Sequence, residues 1–282
     1  MRNRLIEDFI DLAIREDLGD GDHSSLACIP EHERGTAQLL VKEEGIIAGI
    51  EISARIFKRL DKHSCFERKI DEGSRVSPGD VVFLITSNIL SLLQAERLIL
   101  NIMQRMSGIA TQTSLYVEKL KGLKTKVLDT RKTTPGMRLL EKEAVRIGGG
   151  ENHRFGLFDM ILLKDNHIDF VGDIQEAIIR AKKYLKRKNK KLKLEVEARS
   201  LDDVRKILAA GGVNYILLDN FSVPDTRAAV EIVAGKCKTE SSGGITLENL
   251  RSYAECGVDY ISVGALTHQI KSIDLSLKAI DY

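Results

Sequence analysis

The sequence predicts an α/β protein: an open or incomplete (β/α) barrel preceded by an N-terminal α+β sandwich domain. Three observations predict it. From about residue 125 onward, short apolar or β-branched runs alternate with helical patterns, the rhythm of a parallel sheet covered by helices. Only six such runs can be counted, fewer than the eight strands of a complete barrel. Before that point strands and helices follow one another without strict alternation, an α+β layout.

The elements read in order as follows. Residues 4–16 place Leu5, Phe9, Leu12 and Ala13 at helical spacing. "GTAQLLVKEEGIIAGI" (35–50) gives two strands around "KEEG", and "EISARIFKRL" gives a helix. "DEGSRVSPGDVVFLI" puts turn residues before an apolar strand. A long helical stretch runs from Ile89 to about Leu120, with a break expected at Ser107-Gly108. The six later strands are "TKVLD", "DMILLK", "KLKLEVE", "NYILLD", "KCKTES" and "DYISVG". A flat doubly wound sheet is the other way to close such a repeat. No GxGxxG follows the first strand, which weakens a dinucleotide fold. Polar chemistry at the end of each strand instead fits a barrel, whose site lies at the C-terminal ends of its strands. The expected domains are 1–108 (sandwich), 109–270 (barrel) and 271–282, a C-terminal helix packing back on the first domain.

Bulk properties narrow the function. The chain has 282 residues, 43% of them hydrophobic, and a formal net charge of +2. That balance gives no reason to expect a nucleic-acid or membrane partner. Tryptophan is absent, which argues against base-stacking platforms. Cys28, Cys65, Cys237 and Cys256 have no metal-ligand spacing and read as reduced thiols of a cytoplasmic protein. "MRNRLIEDFIDLAIRED" is amphipathic and carries acids, unlike a signal peptide. The basic run at 182–193 reads as a solvated face.

The strand ends carry the chemistry. They supply Arg131 and Lys132; Lys164, Asp165, Asn166 and His167; Glu195 and Glu197; Asp219 and Asn220; Glu240 with Ser241, Ser242, Gly243 and Gly244; and Gly264, Thr267 and His268. "GGGENHRFG" adds His153 and Arg154 before the second strand. Taken singly, Arg131 and Lys132 could be solvated loop charges, but "TTPG" fixes the loop that holds them. Asp219 alone is as consistent with a helix cap as with function. His167 or His268 alone reads as a structural histidine. Glu195 and Glu197 flank Val196, and one is expected to point inward and the other outward. "SSGGI" before a helix is either a simple turn or a phosphate cradle of backbone N–H groups. Together with Arg97 on the long helix, the cations Arg131, Lys132, Arg154 and Lys164 exceed what one monoanion needs. They call for substrates bearing phosphates and carboxylates. Glu197 and Asp219 among them suggest ribose hydroxyls, a Mg²⁺ ion or a developing positive charge.

"REDLGDGD", "AERLILNIMQRMSGIAT", "DTRKTTPGMR", "GGGENHRFGLFDMILLKDNHI", "EVEA", "LLDN", "SSGGI" and "GVDYISVGALTH" occur in this order along most of the chain. In these motifs the chain resembles the quinolinate phosphoribosyltransferases, the carboxylating nicotinate-nucleotide pyrophosphorylases. The resemblance implies a sandwich and an open barrel in each subunit, and a homodimer or larger assembly whose sites are shared between subunits. It implies that quinolinate reacts with 5-phosphoribosyl 1-diphosphate, giving nicotinate mononucleotide, CO₂ and diphosphate, with Mg²⁺. By position, Arg131, His153, Arg154 and Lys164 match the quinolinate-binding residues, with Arg97 reaching in from the other subunit. Lys132, Glu197 and Asp219 match catalytic positions, and the two acids act on the metal indirectly, through Mg-diphosphate. Lys132, Asn166, His167, Glu197, Asp219, Ser242, Gly243, Gly244, Gly264 and Ala265 match the phosphoribosyl diphosphate site. Two other readings stay open at this point. One is a paralogous phosphoribosyltransferase acting on a different acidic aromatic base, and the other is a non-catalytic sensor of quinolinate or a nucleotide.

Overall fold

A computed structural model describes residues 2–280. In chain order the elements are α1 (Arg2–Leu18), α2 (His23–Cys28), β1 (Arg34–Val41), β2 (Gly45–Ile46), α3 (Ile50–Leu60), β3 (Cys65–Arg68), β4 (Arg75–Val76), β5 (Val81–Asn88) and α4 (Ile89–Lys119). They continue with β6 (Lys126–Leu128), α5 (Arg138–Ile147), β7 (Met160–Leu163), α6 (Asp165–Val171), α7 (Ile174–Arg187), β8 (Lys193–Ala198), α8 (Leu201–Ala210) and β9 (Tyr215–Asp219). The last are α9 (Val223–Val233), β10 (Lys238–Ser242), α10 (Leu250–Ala254), β11 (Tyr260–Ser262), α11 (Ala265–His268) and β12 (Leu275–Ala279). The chain divides into two units. The first is Met1–Ser114, Thr133–Gly149 and Thr267–Tyr282; the second is Leu115–Lys132 and Gly150–Leu266.

The first unit is built on an antiparallel sheet with strand order β12-β1-β5-β3. Burial alternates along β1, as a half-buried strand requires. Phe57 of α3 meets Phe66 and Phe83 of the sheet at ring-centroid distances of 6.3 and 6.2 Å, so α3 covers the buried face. The carboxylate of Glu72 accepts the N–H groups of Gly49, Ile50 and Glu51. It thus satisfies donors that the first turn of α3 cannot bond internally.

Several expectations are corrected here. The C-terminal helix expected over 271–282 is instead strand β12, paired antiparallel with β1 from Val41↔Leu275 to Ala37↔Ala279; residues 281–282 lie outside the described ones. Leu275 and Leu277 are buried and Ser276 is less so, a period of two that fits a strand and not a helix. The break expected at Ser107-Gly108 does not occur, because α4 runs unbroken for 31 residues. Ser107 is buried and its hydroxyl bonds both the N–H and the carbonyl of Ala48, at 2.9 and 3.1 Å. A Cβ on Gly108 would overlap the Lys271 carbonyl. The pair is therefore there for close approach of other backbone, and not to end a helix. Among the described residues of α1 the fully buried one is Ile10, while Leu5 and Leu12 are exposed. The division between units falls within α4, after Ser114, and α5 belongs to the first unit.

The second unit carries all six β-strands expected from the sequence. They form one parallel sheet in the order β6-β11-β10-β9-β8-β7. Beginning at β7, each successive strand is added on the same side, and β6 then follows β11. A doubly wound sheet reverses its order at a switch point; this one never does. It is the circular order of a barrel opened between β6 and β7, as expected. Val196, Ile216, Leu218 and Ile261 are fully buried and form part of the core that holds the strand ends in place.

Candidate active site

At the open edge of the second unit's sheet, the segment before β7 runs alongside β6. Leu128 and Glu151 form a parallel bridge, with Glu151 N–H donating to the Val127 carbonyl at 2.8 Å. Asp129, fully buried just past β6, accepts the His153 N–H at 2.9 Å and the Asn152 side-chain amide at 2.7 Å. This acid fastens "ENHR" to "DTRK" and sets Arg154 near Arg131. Burial, and then the Arg131 charge, hold the Arg154 guanidinium below its ordinary pKa, while Glu195 and Asp159 act the other way. Two like charges so placed favour an anion between or above them.

Beneath them lies a buried acidic pair. Glu195 and Glu240 are 0% and 1% exposed. His153 Nε2 is 2.9 Å from Glu195 and 3.5 Å from Glu240. The other ring nitrogen, Nδ1, accepts the Arg154 N–H at 2.8 Å. The ring proton of neutral His153 is therefore on Nε2 and faces the carboxylates. His153, Glu195 and Glu240 place donor atoms within 4.8 Å of one another, a spacing that also suits a cation. With its proton on Nε2, however, the imidazole has no lone pair to offer one, and the cluster is better described as sharing protons. Both nitrogens of His153 thus face protein groups, Nδ1 the Arg154 N–H and Nε2 the two carboxylates.

Burial is the leading cause that pushes Glu195 up to about 7 and Glu240 up to about 8. Acids raised in the folded state keep protons that the unfolded chain has released. The stability they contribute is complete below the ordinary glutamate value of 4.5 and is lost as pH rises through about 7 and about 8. Glu240→Gln removes one of these acids without changing its shape. The variant is expected to melt above wild type near pH ~9, with the advantage gone by about pH 5. Thermal melts across that range check it, and an advantage greater at acid pH would contradict it.

Glu195 and Glu197 do not face opposite ways, as the sequence reading had expected. Residues two apart on a strand share a face, and both interact with the charge of Lys164. Lys164 directly follows β7 and is the N-cap of α6; its N–H donates to His167 Nδ1 at 3.0 Å. His167 is thus a local positioning group for Lys164, whatever its exposed edge meets. Asn166 is exposed beside it, with its N–H on Asp165 Oδ1 at 2.6 Å. The Asp165 N–H donates to Glu197 Oε1 at 3.2 Å. Burial, then the charges of Asp219 and Asp165, raise the Glu197 pKa against that bond.

Asp219 ends β9 in register with Ser242 at the end of β10. It does not cap the next helix; Ser222 does, accepting the Asp225 N–H. Gly243 and Gly244 follow with φ of +92° and +59°, the region that favours glycine. Gly264 follows β11 after one intervening residue, and Ala265 opens α11. Lys132 is exposed, with its N–H on Thr130 Oγ1 at 3.0 Å. Shared electrostatics therefore link Arg131, Arg154, Lys164, Glu195, Glu197 and Asp219 in one unit. Arg97 is an exposed residue of α4 in the first unit. Glu197 and Asp219 are hard oxygen donors whose mutual repulsion suits a nearby cation, and both fit Mg²⁺ held chiefly by a substrate's phosphates.

Sequence reasoning missed two organising residues. Asp129 was legible only as the acid that closes an apolar strand. Arg105 was hidden within the helical pattern of α4. It reaches Glu141 at 2.7 Å, the Thr134 hydroxyl at 2.9 Å and the Thr267 carbonyl at 2.9 Å.

Comparison with known proteins fits this geometry. The family descriptions "Quinolinate phosphoribosyl transferase, N-terminal domain" and "C-terminal domain" match residues 22–107 and 109–278. The chain belongs to this family. The two family descriptions meet near residue 108, whereas the two units divide within α4. The probable nicotinate-nucleotide pyrophosphorylase [carboxylating] of Bacillus subtilis (strain 168) is 42% identical over 93% of this chain and 89% of its own length. The chloroplastic nicotinate-nucleotide pyrophosphorylase [carboxylating] of Arabidopsis thaliana is 42% identical over 95% and 81%. The crystal structure of NadC from Streptococcus pyogenes superposes with a TM-score of 0.91 at 41% identity, covering 98% of this chain and 97% of that one.

Proposed function

We propose that this protein is a decarboxylating quinolinate phosphoribosyltransferase of de novo NAD biosynthesis. It joins quinolinate to 5-phosphoribosyl 1-diphosphate and yields nicotinate mononucleotide, CO₂ and diphosphate. The observation that carries the reading is the arrangement of Arg154 and Lys164 about Glu195, with Arg131 beside Arg154 and the acids Glu197 and Asp219 next to them, at the ends of parallel strands. Family membership makes that arrangement specific.

The chain's own groups account for each requirement. Arg131, Arg154 and Lys164 pair with the two ring carboxylates of quinolinate, because an adjacent dicarboxylate needs more than one fixed cation. The pyridine nitrogen attacks C1 of the ribose as its bond to diphosphate breaks, so no enzyme nucleophile is required. Glu197 and Asp219 stabilise the positive charge that develops at C1. The ring carboxylate next to nitrogen then leaves as CO₂, and its bonding pair takes up a proton. Lys132 contacts the phosphoribosyl substrate, as do Asn166 and the exposed edge of His167. The turn Ser242–Gly244, with Gly264 and Ala265, receives the 5-phosphate on backbone N–H groups. Mg²⁺ supplies charge neutralisation on the diphosphate when bound.

The test is direct. Protein incubated with quinolinate, 5-phosphoribosyl 1-diphosphate and Mg²⁺ should form nicotinate mononucleotide and CO₂ in equal amounts. Removal of Mg²⁺ with a chelator should stop it. Consumption of neither substrate overturns the reading.

The same reading makes the protein a homodimer at least, with Arg97 completing the partner's site, and places it in the cytoplasm; among the described residues no helix is long and apolar enough to cross a membrane. Arg97→Ala and Lys164→Ala are each expected to be inactive. In a heterodimer of the two, one site collects both defects and the other neither. Mixing the inactive proteins under subunit exchange should restore up to about half of wild-type activity per heterodimer, since lost charge pairs cost roughly 2–5 kcal/mol at the defective site. No recovery, with exchange verified by native mass spectrometry, would show that Arg97 does not act across the interface.

A further inference from the structure

Asn220 has a backbone that needs explaining. Its φ is +54°, a left-handed conformation that non-glycine residues seldom adopt and asparagine tolerates best. Among the described residues two others share it, Asn189 and Ala234. Both of those follow the last turn of a helix, α7 and α9, where left-handed residues are ordinary terminators. Asn220 ends no helix. It follows β9 at the mouth of the sheet.

What the conformation achieves is visible in its bonds. The Asn220 N–H donates to the Ser242 carbonyl at 2.8 Å. The side-chain amide turns back and donates to Asp219 Oδ2 at 2.7 Å. Its own carbonyl oxygen lies over Gly243, so near that a Cβ there would overlap Asn220 Oδ1 and Cγ. Asp219 has no other hydrogen-bond donor among the described residues, and the Glu197 carboxylate repels it. One side chain therefore fixes the rotamer of the acid on β9 and the path of the glycine turn after β10.

We propose that Asn220 is a positioning residue. It holds the Asp219 carboxylate and the Ser242–Gly243 turn in one fixed relation, so that the two ends of a phosphorylated ribose, its diphosphate-bearing C1 and its 5-phosphate, are received at a set spacing. This rests on the function proposed above. It also explains why glycine is needed at residue 243 in particular: the amide that orients Asp219 takes the space a side chain there would fill.

Two variants separate positioning from mere folding. Asn220→Gly keeps the left-handed backbone at no steric cost and removes only the amide. Asn220→Asp keeps size and backbone preference but replaces the donor by a second acceptor facing Asp219. Partners that orient a functional group typically contribute about 10–100-fold. For Asn220→Gly the expected result is a loss of that size in kcat/KM for 5-phosphoribosyl 1-diphosphate, with KM for quinolinate unchanged and the melting temperature within about 2 °C of wild type. Asn220→Asp should lose at least as much. Calorimetric titration of each variant with Mg²⁺–5-phosphoribosyl 1-diphosphate, without quinolinate, should show weaker binding by a similar factor. Wild-type kinetics and binding in both variants would overturn the proposal, as would a lower melting temperature with unaltered kinetics in the folded fraction. A wild-type protein that binds Mg²⁺–5-phosphoribosyl 1-diphosphate but makes no nicotinate mononucleotide would overturn the reaction proposed above. The calorimetric comparison would still decide the role of Asn220.

Discussion

Arg105→Ala is expected to destabilise the protein by about 3–5 kcal/mol, because it leaves a buried carboxylate without its charge partner. Glu141 is 0% exposed, and both Arg105 Nε and Nη2 reach its Oε1, at 2.9 and 2.7 Å. The same guanidinium bonds the Thr134 hydroxyl and the Thr267 carbonyl, and Glu141 Oε2 accepts the Thr134 N–H at 3.2 Å. Thr134 lies two residues beyond Lys132 in the chain. Losing Arg105 should therefore loosen the "RKTT" segment and lower activity in whatever protein still folds. Chemical denaturation of Arg105→Ala beside the double variant Arg105→Met/Glu141→Leu tests the cause. The double variant removes both charges and should recover much of the stability. Equal loss in both would mean that packing, and not an abandoned charge, is responsible.

Turnover of nicotinate in place of quinolinate should be at least ~100-fold poorer, a difference of roughly 3 kcal/mol, because one fewer carboxylate leaves a desolvated cation without a partner. The pressure is already present in the protein: burial and the neighbouring Arg131 both disfavour the charged form of Arg154. A dianion relieves that and a monoanion relieves it only in part. Steady-state kinetics with both acids under the same Mg²⁺ and 5-phosphoribosyl 1-diphosphate concentrations decide it. Comparable kcat/KM values would point instead to a paralogous enzyme with a different acidic base.

The parts of this fold that repeat were legible in the sequence. All six strands of the parallel sheet announce themselves as apolar or β-branched runs between helical patterns, and their number alone indicated an open barrel. The charged residues at their ends were legible for the same reason, since a strand end fixes where its next residues must lie. Legibility failed where the cause was distant in sequence. Gly108 looks like a helix breaker, and only the approach of Lys271 shows why it is glycine. Arg105 looks like any exposed helical arginine until Glu141 and Thr267 are brought to it. Glu195 and Glu197 were a different failure, one of parity: period two puts them on the same face, and the structure has both inward. Asn220 was legible as a polar residue at a strand end, but its contacts with Asp219 and with Gly243 one strand away were not.

The pairing of β1 with β12 joins residues more than 200 positions apart, and this bears on how the protein is made. Every strand of the parallel sheet, and every helix between those strands, precedes β12 on the ribosome. The second unit can therefore complete its sheet while the first still lacks an edge strand. Until β12 emerges, β1 presents open backbone donors and acceptors, a template for pairing with another chain. Contacts this remote in sequence are slow to form, so the unit synthesised first is the one finished last. The interval before the C-terminal strand docks is when the nascent chain is most exposed to aggregation and has most to gain from chaperone protection.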